Sequence, residues 1–243
     1  MADSIKLSIV TIVKNDDAGL NSTIESIINS KIPCEHIIVD GSDLKLSPAT
    51  LSKNTKHFWG PDQGISDAFN RGIILASADY ILFLNAGDEL LPVAAPLIID
   101  TLGDDRLDCI WFSVLRILEG GKKTIFIPRL KYLKYAMSAP HQGLIVRKSI
   151  FLEIGNFPMQ KYSMDHHFAL RIISRNPKYK IVSFDLPIAT YPSGGHSSKG
   201  GSLPFFFNIL NTLKIQPIYL PISIMVNLGL IIKHSYIKIR NNV

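Results

Sequence analysis

Short apolar runs alternate with amphipathic segments through the first hundred residues of the chain. Four of these runs have the length and branched composition of buried strands, and they cover residues 6–13, 36–39, 57–59 and 80–84. Apolar residues at helical spacing predict helices between them, most clearly over residues 65–76. Strands that alternate with helices at this spacing predict an α/β fold, with a doubly wound, mostly parallel sheet and helices on both faces.

Each of these four strands is followed by a turn that carries a carboxylate or an amide. The four residues are Asn15, Asp40, Asp62 and Asp88. Each turn taken alone has a common sequence and an ordinary structural explanation. Right-handed crossovers, however, place all four turns along one edge of the sheet, where ligands bind in open α/β folds. The pattern therefore predicts a binding site at that edge.

The alternation changes after residue 90. The predicted elements are a helix over 92–102, strands over 109–118 and 123–128 joined by a hairpin turn, a basic helix over 129–137, a strand over 144–146, and helices that begin near 149 and 164. We expect one α/β domain over residues 1–202, in two halves at 1–102 and 103–202, followed by a helical tail at 203–243.

Asp165 begins one of these helices. A carboxylate in the first turn is favoured by the helix dipole and often serves as a cap. Local sequence therefore leaves a structural and a functional role for Asp165 equally open.

Composition narrows the classes of partner. Of the 243 residues 47% are hydrophobic, and the net charge of +6 favours acidic partners such as nucleotides or lipid headgroups. Because the basic residues are dispersed and not gathered with aromatic ones, we expect no nucleic-acid partner. Two cysteines form no disulfide framework, and the N-terminus lacks a secretory signal pattern. A cytoplasmic protein is expected.

The tail is mostly apolar and ends in basic residues. Residues 215–232 are about as long as the shortest membrane spans, but Pro217, Pro221 and Asn227 interrupt them. This favours an amphipathic segment lying on the inner membrane surface, with its basic end drawn to anionic lipid. A helix packed on the domain or in a homo-oligomer interface is the alternative.

Several stretches of the chain match known motifs in the right order. They are SIVTIVKND at 8–16, IIVDGSD at 37–43, PDQGISDAFNRGI at 61–73, YILFLNAGDEL at 80–90, PHQGLIVRKSIFLEIGNF at 140–157, YSMDHHFALRI at 162–172 and the glycine pair at 194–195. Together they resemble the GT-A glycosyltransferases of family 2, especially the bacterial branch that builds surface polysaccharides such as O-antigen, capsule or exopolysaccharide.

The resemblance implies a Rossmann-like GT-A fold and an inverting, metal-dependent hexosyltransferase. Its donor would be a nucleotide sugar, with a UDP-sugar favoured, bound by residues 1–102. Its acceptor would be a hydroxyl of a lipid-linked saccharide, bound by residues 103–202 at the inner membrane.

The resemblance also implies a role for individual residues. Those implied to bind the nucleotide sugar are Thr11, Asn15, Asp40, Gly41, Asp62, Gly64, Asp67, Asn70 and Asn85. Those implied to face the acceptor or the diphosphate are His141, Gln142, Gly195 and His196. Asp88 would hold Mg²⁺ or Mn²⁺, and Asp165 would be the catalytic base.

The acidic metal motif is reduced in this chain. Asn85 and Gly87 stand where the family usually has aspartates, so that Asp88 alone is left. One carboxylate suffices for a metal that arrives with its nucleotide, because the diphosphate supplies other oxygen ligands. The sequence also departs from the family after Asp43, where residues 44–46 replace the usual Gly-Thr.

Two other functions are open to this sequence. A nucleotidyltransferase would also need a metal-binding carboxylate, but usually more than one, and it would give Asp165 no role. A degenerate transferase kept as a binding partner in a polysaccharide assembly complex is compatible with the losses at positions 85 and 87. The retention of Asp88 and Asp165 argues against that alternative.

Overall fold

A nine-stranded mixed sheet organises the chain in the computed structural model, which describes residues 5–195 and 200–241, the last six of these by their backbone alone. The strands are β1 Leu7–Val13, β2 Cys34–Asp40, β3 Thr55–Trp59, β4 Tyr80–Phe83, β5 Glu89–Leu90, β6 Cys109–Ile117, β7 Lys123–Phe126, β8 Leu144–Arg147 and β9 Ile181–Pro192. The strand order is β3-β2-β1-β4-β8-β6-β9-β5, and β7 pairs with β6.

The first four strands form the parallel half of the sheet. β1 pairs in parallel with β2 on one side and with β4 on the other, and β3 extends β2 in parallel. The carboxyl ends of all four therefore lie at one edge, as the sequence predicts. The doubly wound α/β fold is confirmed.

The second half of the sheet mixes directions. β8 lies antiparallel between β4 and β6, and β6 runs parallel to β9. The sequence pattern predicts no strand over residues 181–192, because Asp185 and Pro187 break its apolar run. The register against β6 shifts near Ser113, and such an irregularity accommodates a proline inside a sheet.

Helices cover both faces of the sheet. They are α1 Asp17–Ser30, α2 Ile65–Leu75, α3 Ala95–Gly103, α4 Lys148–Ile154, α5 Met164–Ile173, α6 Leu203–Ile215 and α7 Leu220–Asn241. One core cluster holds α2, α4 and α5, and within it Phe69 stacks on Phe83 at 4.6 Å and Phe151 on Phe168 at 4.5 Å. A second cluster packs α3 and Ile27 of α1 against the opposite face.

The basic helix predicted over residues 129–137 is wrong. Only a short 3-10 turn, Leu130–Tyr132, forms there. The Arg129 amide donates to the Ser138 carbonyl at 2.8 Å, and the Ser138 hydroxyl returns a bond to the Arg129 carbonyl at 2.9 Å. A helix of that length would hold these residues about 13 Å apart. The segment is a closed loop, and the buried side chain of Leu133 anchors it to the domain.

Two helices end the described chain. α6 packs on α5 and on α7, and Pro217 falls in the 3-10 turn between α6 and α7. Pro221 stands in the first turn of α7, where a missing backbone N–H leaves no hydrogen bond unmade. By length and composition, the segment Pro217–Ser235 is apolar enough to cross a membrane.

Candidate active site

An open cleft of about 1010 Å³ lies at the carboxyl edge of the parallel strands. Its walls come from the turns after β1 and β4, the turn before α2, residues 140–142, residues 159–165 and the end of β9. That size is in the range of cofactor and substrate pockets. A cleft is therefore present at the edge of the sheet where the sequence predicts a binding site.

The structure separates the predicted site residues into two groups. Those lining the cleft are Asp62, Gly64, Asn85, Asp88, His141, Gln142, Asp165 and Gly195. Those set back from its surface are Thr11, Asn15, Asp40, Gly41, Asp67 and Asn70. His196 lies outside the described residues.

Asp40 organises the loop after β2. The side chain is fully buried, and it accepts hydrogen bonds from the amides of Ser42 and Leu46, each at 2.9 Å. His57 Nε2 lies 3.0 Å from Asp40 Oδ2, the oxygen that also accepts the Leu46 amide. Burial alone would raise the pKa of Asp40, but these contacts together hold that pKa below its usual value. Thr11 is equally buried, with its hydroxyl 2.9 Å from His36 Nε2.

The loops after β1 and β2 are tied together at the rim of the cleft. The Asn15 amide donates to the Ser42 hydroxyl at 2.7 Å, and the Asn15 side chain exchanges two hydrogen bonds with Asp43. A Cβ at Gly41 would come within 1.8 Å of an Asp62 carboxylate oxygen. Glycine thus lets the loop after β2 approach the turn before α2.

The turn before α2 is held by its own carboxylates. Asp62 accepts the Gly64 amide at 2.8 Å, and Gly64 has a φ of 109° that a side chain would strain. Asp67 accepts the Gln63 amide at 3.0 Å and pairs with Arg71 at 2.8 Å. Asp67 therefore supports the turn from behind.

Asn70 joins α2 to the loop before α5. Its amide nitrogen donates to the Phe157 carbonyl at 3.0 Å, and its oxygen accepts the Phe157 amide at 3.0 Å. Both polar ends of the side chain are therefore engaged by protein backbone.

Asp88 is nearly enclosed at the floor of the cleft. Only 4% of the residue is exposed, and its Oδ2 accepts the Asn85 amide at 2.9 Å. Burial raises the pKa of Asp88 to about 6, although the nearby His141, the Asn85 amide and Gln142 partly oppose that rise. Ionising Asp88 in this buried place therefore costs free energy, and a bound cation would reduce that cost.

A second oxygen beside Asp88 lacks a partner. Asn85 Oδ1 is buried and accepts no hydrogen bond from the described residues, while Asn85 Nδ2 lies 3.4 Å from His141 Nε2. Carboxylate and amide oxygens are the ligands that Mg²⁺ and Mn²⁺ prefer. Among the described residues no group of three His, Cys, Asp or Glu side chains could hold a metal. The residues present fit a divalent ion only together with oxygens from a ligand.

Asp165 faces the cleft from the start of α5. Ser163, with a φ of 55°, stands at the N-cap and makes no side-chain capping bond, so Asp165 is not the cap. Its Oδ1 accepts the His166 amide at 2.8 Å, and its Oδ2 lies 3.4 Å from His141 Nδ1.

The contacts of Asp165 favour its ionised form. Burial alone would raise its pKa, but His141 and the His166 amide hold that pKa below the usual value. His141 therefore stands between two acidic groups, Asp165 on one side and the Asn85–Asp88 turn on the other.

Some lining residues are not among those predicted. Lys14 and Lys161 bring positive charge to the cleft, and Gln160 and Tyr191 complete its walls. Lys14 could have been found, because it follows β1 directly and precedes Asn15. No local pattern marks Lys161 or Tyr191, which reach the cleft only through the tertiary fold.

Two proteins whose solved structures hold a nucleotide sugar share this fold. The chain superposes on S. aureus TarS 1-349 in complex with UDP-GlcNAc with a TM-score of 0.64 at 14% identity, over 87% of this chain and 68% of that one. It superposes on mannosyltransferase PcManGT from Pyrobaculum calidifontis, in complex with GDP-Man and Mn²⁺, with a TM-score of 0.62 at 13% identity, over 90% and 68% of the two chains. It spans 66% of another TarS 1-349 structure and 40% of a longer TarS chain.

Sequence comparison identifies the family. Residues 8–168 match the family described as Glycosyl transferase family 2, and the chain belongs to this family. It is also 30% identical over 183 residues to an uncharacterized glycosyltransferase of Mycobacterium tuberculosis, an alignment that covers 70% of each chain.

Proposed function

We propose that this protein transfers a hexose from a nucleoside-diphosphate sugar, with a UDP-sugar favoured, to a hydroxyl of a lipid-linked saccharide during bacterial surface-polysaccharide synthesis. The observation that carries the proposal is the pairing across one cleft of Asp88, suited to a cation, with Asp165, suited to a base. His141 lies between them.

The nucleoside end of the donor would rest on the loops after β1 and β2. Lys14, Asp62 and Gly64 line the cleft there. Asp40 and Gly41 support this end from behind, since one orders the loop and the other allows its close approach to Asp62. TarS with UDP-GlcNAc and PcManGT with GDP-Man share the fold but hold different bases, so the preference for UDP comes from the family resemblance.

The diphosphate would lie over the turn after β4. There Asp88 and the unpartnered Asn85 Oδ1 would hold Mg²⁺ or Mn²⁺. When bound, such an ion neutralises charge on the leaving diphosphate. Gln142, which contacts Asp88, and Gly195 also line the cleft, and His196 follows Gly195 in the chain.

Asp165 would act as the general base. It takes the proton from the acceptor hydroxyl while that oxygen forms a bond to the anomeric carbon. The bond from the anomeric carbon to the phosphate oxygen breaks, and its electron pair leaves with the nucleoside diphosphate. Because attack and departure occur on opposite faces of the sugar, the anomeric configuration inverts. His141 keeps the carboxylate aimed and ionised.

A thermal-shift screen of nucleotide sugars, with and without Mn²⁺, tests this function. A donor at a hundredfold its Kd stabilises the folded state by about 2.7 kcal/mol, which raises the melting temperature by roughly 5–11 °C. We expect one donor to give such a shift. In the variant Asp88→Asn, the part of this shift that depends on Mn²⁺ should be lost. A screen without any shift would contradict the proposal and favour a degenerate binding protein with a reduced acidic motif.

A further inference from the structure

The last two helices bury polar side chains and expose apolar ones. α6 and α7 together are called here the C-terminal helix pair. Its buried polar residues are Asn208, Asn211, Thr212, Ser223 and Asn227. Asn208 Nδ2 donates to Asn227 Oδ1 at 3.2 Å, and the hydroxyl oxygens of Ser223 and Thr212 lie 3.1 Å apart. The seam between these helices is thus a hydrogen-bonded network, whereas helices on a soluble domain usually bury their apolar side.

Further hydrogen bonds fix the orientation of the pair on the domain. The Ser223 hydroxyl and the Asn227 amide both donate to the Tyr135 carbonyl, at 2.7 and 2.8 Å. The Asn211 amide donates to the Ser163 carbonyl at 2.9 Å. The pair cannot rotate its polar seam towards solvent without losing these contacts.

The outer face of the pair is consequently apolar. Met225 is 73% exposed and Ile232 is 70% exposed. Other large apolar side chains exposed on the pair are Leu203, Phe206, Leu213, Ile222, Ile224, Val226 and Leu228. So many exposed large apolar side chains on one pair of helices mark a site for a partner or a membrane.

Basic and aromatic side chains lie where α7 begins and in the loop at 129–138, whose Tyr135 carbonyl is hydrogen-bonded to α7. Lys134 Nζ lies 4.5 Å from the ring centre of Tyr219, and Lys131 Nζ lies 5.1 Å from that of Tyr132. Lysine and tyrosine are the side chains that sit at the level of lipid headgroups, with the apolar part inward and the polar end in water.

The charge of these segments has one sign. Residues 203–243 contain three lysines and one arginine and no acidic residue, and residues 120–152 also lack Asp and Glu. Such a surface complements an anionic one, and a second copy of the same face would bring like charges together. The family match ends at residue 168, so the helix pair lies beyond it.

We propose that the outer face of the C-terminal helix pair docks on an anionic lipid bilayer. The pair lies flat, with Met225 and Ile232 at the acyl boundary and Lys131, Lys134 and Lys233 at the headgroups. A spanning α7 would have to break the bonds from Ser223 and Asn227 to the Tyr135 carbonyl.

The docked orientation bears on the site already described. Ser163, which accepts the bond from Asn211, lines the cleft beside Asp165. Docking therefore holds the Asp165 wall of the cleft near the membrane, where a lipid-carried acceptor would enter. This last step rests on the proposed transferase function, whereas the docking itself does not.

Flotation of the purified full chain with vesicles tests the docking. The vesicles are phosphatidylcholine with and without phosphatidylglycerol. We expect the wild type to float only with the anionic vesicles and to be released by salt. Met225→Glu and Ile232→Glu should each lower the partition coefficient about tenfold or more. Lys131→Gln and Lys233→Gln should each lower it about fivefold.

Matched variants control for charge and folding. Leu152→Glu places the same charge on α4, at a residue 83% exposed, and Lys53→Gln removes an exposed lysine elsewhere. Both should bind like the wild type, and all variants should keep the wild-type melting temperature. Donor-induced thermal shifts without vesicles report separately on the proposed function.

Three outcomes would overturn the docking. The first is a wild type that stays in solution with anionic vesicles. The second is a wild type that is a dimer without lipid, together with a Met225→Glu variant that is a monomer and binds vesicles as the wild type does. The outer face would then be an interface between two copies of the chain. The third is retention of wild type in the vesicles after an alkaline carbonate wash, because α7 would then span the bilayer.

Discussion

Replacing Asp88 by asparagine should stabilise the protein when metal is absent. The carboxylate is buried, and burial raises its pKa from 3.8 to about 6. The folded state therefore binds this proton more tightly than the unfolded state, so that ionising Asp88 destabilises the fold. Asparagine fits the same place, and its oxygen can still accept the Asn85 amide. It avoids the buried charge.

The size of the effect follows from the pKa. A rise of roughly two pKa units corresponds to about 3 kcal/mol, since one unit is about 1.4 kcal/mol. Such a gain raises the melting temperature of a chain of this length by roughly 6–12 °C. The size of this gain depends on pH. The gain is complete above the folded pKa near 6, shrinks as pH falls, and is gone below 3.8, where both states are protonated.

The assay is denaturant unfolding of wild type and Asp88→Asn in excess chelator across that pH range. Asp165→Asn is the matched control, because the pKa of Asp165 is lowered and its ionised form favours the fold. That variant should gain no stability at any pH. Wild type and Asp88→Asn of equal stability at alkaline pH would refute the buried-charge argument. With donor present, adding Mn²⁺ should stabilise the wild type further and leave the stability of Asp88→Asn unchanged.

Three other changes probe the cleft. Excess chelator should stop sugar transfer, and added Mg²⁺ or Mn²⁺ should restore it. Full activity in excess chelator would show that transfer needs no metal. Gly41→Ala should raise the donor Kd, with little effect on turnover at saturating donor, because its Cβ would collide with Asp62; an unchanged Kd in calorimetry would contradict this. Asn70→Ala should lose about 1–3 kcal/mol of stability, measured by denaturant unfolding, with the donor Kd unchanged, since its two bonds go to Phe157. If Asn70→Ala instead had wild-type stability and a higher Kd for the donor, Asn70 would be a residue that contacts the donor.

The parallel half of the fold was predictable because its signals are local. Each of the strands β1 to β4 is an apolar run that ends in a polar turn, and these turns share one edge of the sheet. The loop at 129–138 was predicted wrongly, because the periodicity of its apolar residues cannot reveal the bonds that join Arg129 to Ser138. β9 went unpredicted because Asp185 and Pro187 hide its pattern, while its pairing with β6 depends on distant residues.

The site was predictable to a similar degree. The turns predicted where the cleft lies, because strand ends are readable from sequence, but of the four turn residues only Asp62 and Asp88 line it. The partners of individual side chains were not readable. Asn70 bonds to a residue 87 positions away, and the contact of His141 with Asp165 requires the turn before β8 to meet the start of α5. Motifs indicate which residue types gather at a site, and the tertiary fold decides which of them face the ligand.

Polar residues of the tail have a different role in the structure from the one that the sequence pattern suggests. Asn227 reads as an interruption of an apolar segment, and in the fold it belongs to a buried hydrogen-bonded seam. The apolar residues around it are thereby turned outward. Only the structure distinguishes a helix with a polar inner side from one with a polar outer side.

The role proposed for Asp165 is that of the base in a sugar transfer. It is tested by comparing the rates of sugar transfer by Asp165→Asn and by the wild type. The donor is the one found in the screen, radiolabelled in its sugar, and the acceptor is extracted from membranes. Turnover should fall by about 10²–10⁴-fold, the usual contribution of a general base. The Kd for the donor, measured by calorimetry, should change little. A variant with turnover near that of the wild type would show that Asp165 is not the base.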